Sequence, residues 1–401
     1  MRISKGLSVL LDCFRWTAAL EVTVFHLRRF MFIPRANANL AWKIFFLLTS
    51  YGHEAVIVFF VLSGFLVGGS VIDEMAAQKF NWRVYMAKRI ARIYPVFLLG
   101  LAVGFSLDYT GLHNFDKSGL YSTAHPLRIG SINESVSSSL HAPVVVGNCL
   151  MLQTIFVPTL GSNGPLWSLS YEFWYYVLFP AAALALGGVY LSRNARLACG
   201  VLAAVICAFV GDGILLYFVV WLSGVAAFVA PPPSSARLRR LLPWFACALI
   251  LILLIFSKLM AIFVFGGIVA DAPLGVGMAL LVYSLKGVER INIGSPRVHR
   301  FLADFSYSQY IFHFPLCFFA LAVVYQFYGT GFFGEPTVGR LWLFFALILF
   351  SMAFAYAVSL ITERRTAQFR DLLLRVSSFG AGISWHRGAR AFLPAEGAAE
   401  K

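Results

Sequence analysis

The chain has 401 residues, 60% hydrophobic and only 12% charged, with a mean hydropathy of +0.78. That charged share is about half the share in an ordinary soluble domain, and the remaining polar surface is too small to cover a soluble core of this size. Two or three soluble domains are therefore excluded, and the composition predicts an all-α polytopic membrane protein. Net charge is +14, from 32 Lys and Arg against 18 Asp and Glu. In a soluble protein this excess would suggest nucleic acid, but in a membrane chain it reads as basic residues retained in cytoplasmic loops. Nucleic acid is accordingly not an expected partner; the lipid bilayer is. Six cysteines without a CxxC pair, mostly in apolar runs, predict buried thiols and neither a disulfide framework nor a metal site.

A membrane span takes about 20 mainly apolar residues. In chain order the predicted spans are 8–30, 51–70, 91–109, 168–190, 197–211, 213–230, 241–257, 268–285, 305–327 and 341–362. The first is too polar for a secretory signal and is read as a retained helix. Breakers at Ala230-Pro231-Pro232-Pro233-Ser234-Ser235 and at Gly294-Ser295-Pro296 separate later spans. The stretch 144–160 is apolar but short and ends at Pro158, so it is expected to be re-entrant. With ten spans and both termini cytoplasmic, 23 of the 32 basic residues fall in cytoplasmic segments, as the positive-inside rule requires. Residues 1–375 form one transmembrane domain, and the Gly/Ala-rich tail 376–401 is expected to be disordered and cytoplasmic.

Ionisable groups inside spans are costly and usually mark a pathway or a site. Arg15 and His26 are eleven residues apart, close to three helical turns, so they share one face at a separation of roughly 16 Å. Asp12 stands one turn before Arg15 and can partner its guanidinium. Two readings stay open for each: Arg15 is a paired inner-leaflet residue or a site cation, and His26 is a packing histidine or a base. Glu21 falls on another face and receives no role. His53 and Glu54 sit where outer-surface solvation alone accounts for them. Arg89 and Arg92, at i and i+3, are either positive-inside anchors or a two-guanidinium clamp for phosphate. Tyr94-Pro95 follows them and suggests a kink or helix restart. In Trp167-Ser168-Leu169-Ser170-Tyr171-Glu172, Ser168 and Glu172 share a face; Ser168 suits a helix cap, whereas Glu172 heads an aromatic membrane run. His313 is expected near mid-membrane, with Pro315 breaking the helix beside it. Signatures of P-loop ATPases, zincins and α/β-hydrolases are absent from the sequence.

Taken together, these motifs resemble the acyltransferase 3 family of integral membrane O-acyltransferases, bacterial enzymes that modify exopolysaccharides, lipopolysaccharide, Nod factors and similar glycans. The resemblance runs from about residue 7 to 362. It rests on Leu11-Asp12-x-x-Arg15…His26, Phe59-Phe60-Val61-Leu62-Ser63-Gly64-Phe65, Arg89-x-x-Arg92-Ile93-Tyr94-Pro95, Trp167-Ser168-Leu169-Ser170-Tyr171-Glu172 and Ser306-Tyr307-Ser308…His313-x-Pro315. Cys13 and Trp16 stand where the family usually has glycine, and Glu21 is unexpected. The segment 170–176 looks most like the exopolysaccharide branch.

The resemblance implies transfer of an acyl group, most simply acetyl, from acyl-CoA to a hydroxyl of a carbohydrate or glycolipid acceptor in the bacterial inner membrane. Acyl-CoA is then a donor substrate and no bound cofactor is implied. Arg89, Arg92 and Tyr94 would hold the donor, with Arg15 assisting. His26 would be the general base, and Glu172 would orient it or stabilise its charge. Asp12, Trp167, Ser168 and His313 would support them. A transporter or flippase for a glycan or acyl substrate is the competing class, because it too places ionisable groups along a path through the membrane. An assembly partner is a third class, but it leaves the first-helix cluster unexplained.

Overall fold

A computed structural model describes residues 4–33, 39–123, 135–262, 267–286, 288, 293–329 and 334–379. The helices are α1 (Lys5–Met31), α2 (Leu40–Leu48), α3 (Gly52–Ser63), α4 (Gly69–Ala76), α5 (Trp82–Asn114), α6 (Ala142–Cys149), α7 (Trp167–Gly187), α8 (Arg193–Val229), α9 (Ala236–Ile262), α10 (Ile268–Ser284), α11 (Pro296–Ala303), α12 (Ser306–Tyr328), α13 (Val338–Ile361) and α14 (Thr366–Phe379). A π-helical turn, Gly64–Gly68, joins α3 to α4. No sheet forms among the described residues, where the strand-like pairings are two isolated bridges. The protein is an all-α polytopic membrane protein.

Six helices among the described residues are long and apolar enough to cross a membrane by length and composition alone. The α1 helix is not one of them, because Asp12, Arg15, Glu21, Arg28 and Arg29 interrupt its apolar run. Each of the ten expected spans nevertheless falls on a helix. The segments 197–211 and 213–230 both lie in α8, which departs from helical geometry at Gly211 (φ 80°, ψ 167°). Its halves run in opposite senses along α7. Arg196 bonds the Ala185 carbonyl and Phe209 packs on Trp174, so the first half is antiparallel to α7. Tyr217 packs on Tyr171 and Trp221 on Phe179, so the second half is parallel to it. Gly211 is therefore a reversal, and glycine supplies the left-handed φ it needs.

The 144–160 stretch is a short helix that doubles back. Asn148 staples it: Nδ2 donates to the carbonyls of Val144 and Pro158 (2.9 Å each), and Oδ1 accepts from Leu160 N–H (3.1 Å). Farther along, Ser162 N–H donates to the buried Asp108 of α5 (2.7 Å), and Ser170 and Trp174 donate to the Met151 carbonyl. The loop is thus tied to α5 and α7.

The break expected at Pro315 and the restart alternative at Pro95 are corrected: both α5 and α12 continue through these prolines without ending. In α12 the carbonyl that Pro315 cannot reach, that of Ile311, accepts from Asn163 Nδ2 at 3.0 Å, which compensates the lost bond. Residues 376–379 of the predicted tail belong to α14, and the rest of the tail lies outside the described residues. The six cysteines are free thiols.

A close helix approach lies beside the π-turn. A Cβ on Gly64 would collide with the Trp221 carbonyl oxygen, and one on Gly224 with that of Val61. The two glycines let α3 and the second half of α8 touch backbone to backbone, the small-residue packing that membrane helices favour.

Candidate active site

One cavity of about 320 Å³ is lined by Arg15, Arg89 and Arg92 together with Ser63, Glu172, Tyr176, Asp304 and Tyr307. Arg15 comes from α1, the other two arginines from one face of α5. The Arg89 guanidinium lies over the rings of Tyr85 and Tyr176, at 5.4 and 5.8 Å from their centroids. Its Nε is buried with no hydrogen-bond acceptor among the described residues, an unused donor in a cation-rich wall. Tyr176 is fixed in turn, donating its hydroxyl proton to Glu172 Oε1 (2.5 Å), while Ser63 Oγ lies 3.2 Å from that hydroxyl and accepts from Trp221 Nε1 (3.1 Å). Arg92 pairs with Glu363 Oε1 at 3.5 Å. The other Glu363 oxygen accepts from the Ser308 hydroxyl (2.5 Å) and backbone N–H (3.2 Å), which caps the start of α12. Asp12 stands 3.9 Å from Arg15 and does not line the cavity.

A second cavity of about 530 Å³ is lined by His26 and Arg29 of α1, Gly52 and His53 of α3, Trp167, and the loop residues Thr154, Pro158, Thr159, Gly161, Gly164 and Pro165. His26 is 7% exposed and its ring stacks on that of His313, with centroids 5.4 Å apart. Phe25 and Phe314 meet it edge-on. His313 is fully buried; its Nδ1–H donates to the Tyr310 carbonyl (2.7 Å), and its Nε2 has no partner among the described residues.

The cavities occupy successive levels of the bundle. On α1 the arginine cavity takes Arg15 and the histidine cavity Val22 to Arg29; on α3 they take Val56 to Ser63 and Gly52 to Val56. Among the described residues only Val56 and Tyr310 line both, and of these Tyr310 carries a polar side chain. The Tyr310 hydroxyl donates to the Pro165 carbonyl (2.8 Å) and lies 2.7 Å from Ser168 Oγ. The partition between the cavities is therefore hydrogen-bonded and ordered.

The structure gathers Arg15, Arg89, Arg92, Ser168 and Glu172 in one cavity, and His26 and Trp167 in the other. Three expectations change. Glu172 faces the arginines and Tyr176, so it is not the carboxylate that orients His26; the ring stacked on His26 is that of His313. Tyr94 packs edge-on against Phe97 and Phe173 and does not line the donor-type cavity. Ser168 lies inside the first turn of α7, which has no side-chain cap, and bonds Tyr310 instead. Residues outside the sequence reading also contribute: Glu363 beneath Arg92, Tyr310 in the partition, and Asp271 beside His53. Glu54 is 4% exposed and paired with Lys258 at 2.6 Å, so solvation does not account for it. Glu21 accepts from Tyr51 N–H (2.9 Å) and anchors the start of α3.

Comparison with known proteins gives three findings. An acyltransferase-domain family profile, that of the acyltransferase 3 group, matches residues 9–360. The chain is 30% identical over 238 residues to the protein named Acyltransferase MdmB of Streptomyces mycarofaciens, covering 58% of this chain and 50% of that one. It is 31% identical over 126 residues to an uncharacterized protein of Haemophilus influenzae, covering 31% and 46%. The chain thus spans about half the length of the curated relatives it matches. No solved structure matches it. With the profile covering nearly the whole helical bundle and both cavities, the chain belongs to the acyltransferase 3 family of membrane proteins.

Proposed function

We propose that this protein is a membrane O-acyltransferase that moves an acyl group, acetyl in the simplest case, from acyl-CoA to a hydroxyl of a cell-surface or exported glycan. The observation that carries the reading is the pair of cavities, one cationic and one holding a histidine, meeting at a shared wall of Val56 and Tyr310. CoA carries a diphosphate and a further phosphate, and the forks of Arg89 and Arg92, with Arg15 behind them, suit those groups. Glu172 acts indirectly by fixing Tyr176, on which Arg89 rests.

The thioester is already activated by its leaving group, so the missing element is a base at the acceptor hydroxyl. In this reading His26 takes the hydroxyl proton, the oxygen attacks the thioester carbonyl, the carbon–sulfur bond breaks, and CoA leaves as a thiolate. A neutral imidazole has a free ring nitrogen that can accept that proton.

The basic-residue bias supports a donor entering from the cytoplasm of a bacterial inner-membrane protein with both termini inside. Single cysteines at Ser235 and Gly388 should then react only with membrane-permeant reagents, and one at Ser122 with impermeant reagents as well. Labelling of Gly388 from outside would reverse the assignment. The activity itself is tested by incubating purified protein with acetyl-CoA and the glycan fraction of the source cells. An acyltransferase releases free CoA only when the glycan is present, whereas a transporter or flippase moves its substrate without releasing CoA.

A further inference from the structure

Beside His26, a second histidine borders the same cavity and has a different support. His53 opens α3 and its side chain is 43% exposed, while its partner Asp271, on α10, is 2% exposed. Asp271 Oδ2 accepts from His53 Nε2–H at 2.7 Å and from the Tyr217 hydroxyl at 2.5 Å. An ionised carboxylate can only accept, so the Nε2 of His53 carries the proton and Nδ1 is left as its one remaining polar atom. The ring is also held flat: it stacks on Trp167 at 6.1 Å between centroids and 20° between planes. Tyr217 packs on Trp167 as well, so three helices fix one imidazole in both tautomer and orientation.

We infer that His53, oriented by Asp271 and Tyr217, is a positioning residue that binds a hydroxyl of the acceptor other than the one acylated, with Trp167 beside it offering an aromatic face to the sugar ring. The inference rests on the acyltransferase reading above. A sugar presents several hydroxyls, and a base alone does not choose among them. A second acceptor atom, fixed in the same cavity, sets which hydroxyl reaches His26. Nδ1 hydrogen-bonds a hydroxyl that is not acylated, so the His53 contact lowers the half-saturating acceptor concentration and leaves the rate at saturation nearly unchanged.

The test titrates the glycan fraction of the source cells against purified His53→Ala, Asp271→Asn and His26→Gln, with acetyl-CoA as donor. Loss of one hydrogen bond to the acceptor should raise the half-saturating glycan concentration roughly threefold to tenfold in His53→Ala, with the saturated rate within about threefold of the parent. Asp271→Asn should do the same with the imidazole still present, because a neutral amide holds the ring less firmly than the charged carboxylate. A purely structural pair would not yield a shift confined to glycan saturation in both variants. Acetyl-CoA affinity, measured alongside, should be unchanged and reports that the bundle is intact.

Unchanged glycan saturation in both variants overturns the inference. So does a collapse of the saturated rate in His53→Ala with unchanged half-saturation, which would make His53 the base. Failure of the acyltransferase reading looks different: the parent protein itself releases no CoA with glycan, and the inference then falls with it.

Discussion

The two cavities share helices α1, α3, α7 and α12 yet solve opposite problems. The arginine cavity concentrates positive charge and keeps it by pairing and stacking: Arg92 on Glu363, Arg15 near Asp12, Arg89 over two tyrosines. Among the described residues it still leaves a buried Arg89 donor without an acceptor, which fits a site for an anion. The histidine cavity holds one nearly buried imidazole among aromatic rings and another bound to a carboxylate, with a loop as its wall. Rigid cation placement suits a phosphate-bearing donor; a tuned imidazole beside an aromatic shelf suits a hydroxylic acceptor. On the proposed reading, charge recognition and proton transfer lie at different depths of one bundle, with Tyr310 between them.

The sharpest way to break this division is at His26. Its replacement by Gln should lower turnover by roughly 10²–10⁴-fold, the usual range for a lost general base, while acyl-CoA binding survives. The structure makes His313 a demanding control, since its Nδ1–H is already committed to a carbonyl and its Nε2 has no partner among the described residues. His313→Ala should cost thermal stability before it costs rate. If His26→Gln keeps near-normal transfer while a well-folded His313→Ala is dead, the base has been misassigned.

A smaller effect is expected where the bundle holds the cavities apart. Gly64→Ala drives a methyl into the Trp221 carbonyl and should destabilise the protein by about 1–3 kcal/mol, the usual cost of overpacking. The strain falls on the Ser63–Tyr176–Glu172 chain beneath Arg89, so donor affinity should weaken with it. A variant with parental melting temperature and donor affinity would show that the α3–α8 contact is not needed. Comparable in size, Arg89→Ala or Arg92→Ala should each weaken acyl-CoA binding by at least about tenfold, because a charge-assisted hydrogen bond is worth about 1.5–3 kcal/mol. Lysine at either position should restore only part of that loss, for want of the fork. Unchanged affinity in both alanine variants would return the pair to a membrane-anchoring role.

Much of this was legible in the sequence because charge is so rarely tolerated in an apolar run. Arg15 and His26 on one stripe of α1, and Arg89 with Arg92, needed only helical periodicity, and both pairs line cavities. The paired apolar segments around Gly211 likewise announced a reversal that the structure places in α8. Glu172 was not assignable in the same way: periodicity gives its face on α7 but not the rotation of α7 against α1 and α5, and that rotation turns it toward the arginines. Glu363 escaped for another reason. It lies in a polar stretch where a carboxylate is unremarkable, and its partners Arg92 and Ser308 are remote in sequence. Asp271 satisfies the same criterion as Arg15, an ionisable group in an apolar run, but its meaning comes from His53, 218 positions earlier. Trp16 shows how a departure from the family pattern is absorbed, donating its indole N–H to His299 Nδ1 at 3.0 Å and so fastening α1 to α11.

The central claim is that donor and acceptor occupy separate cavities that meet at Tyr310. A structure determined with a non-hydrolysable acyl-CoA analogue bound tests it most directly. The account predicts the CoA phosphates against Arg89 and Arg92, and the acyl carbonyl at the Val56–Tyr310 wall facing the His26 cavity. Phosphates seated in the His26 cavity, or an acyl group that stops short of Tyr310 and points to lipid, would contradict it.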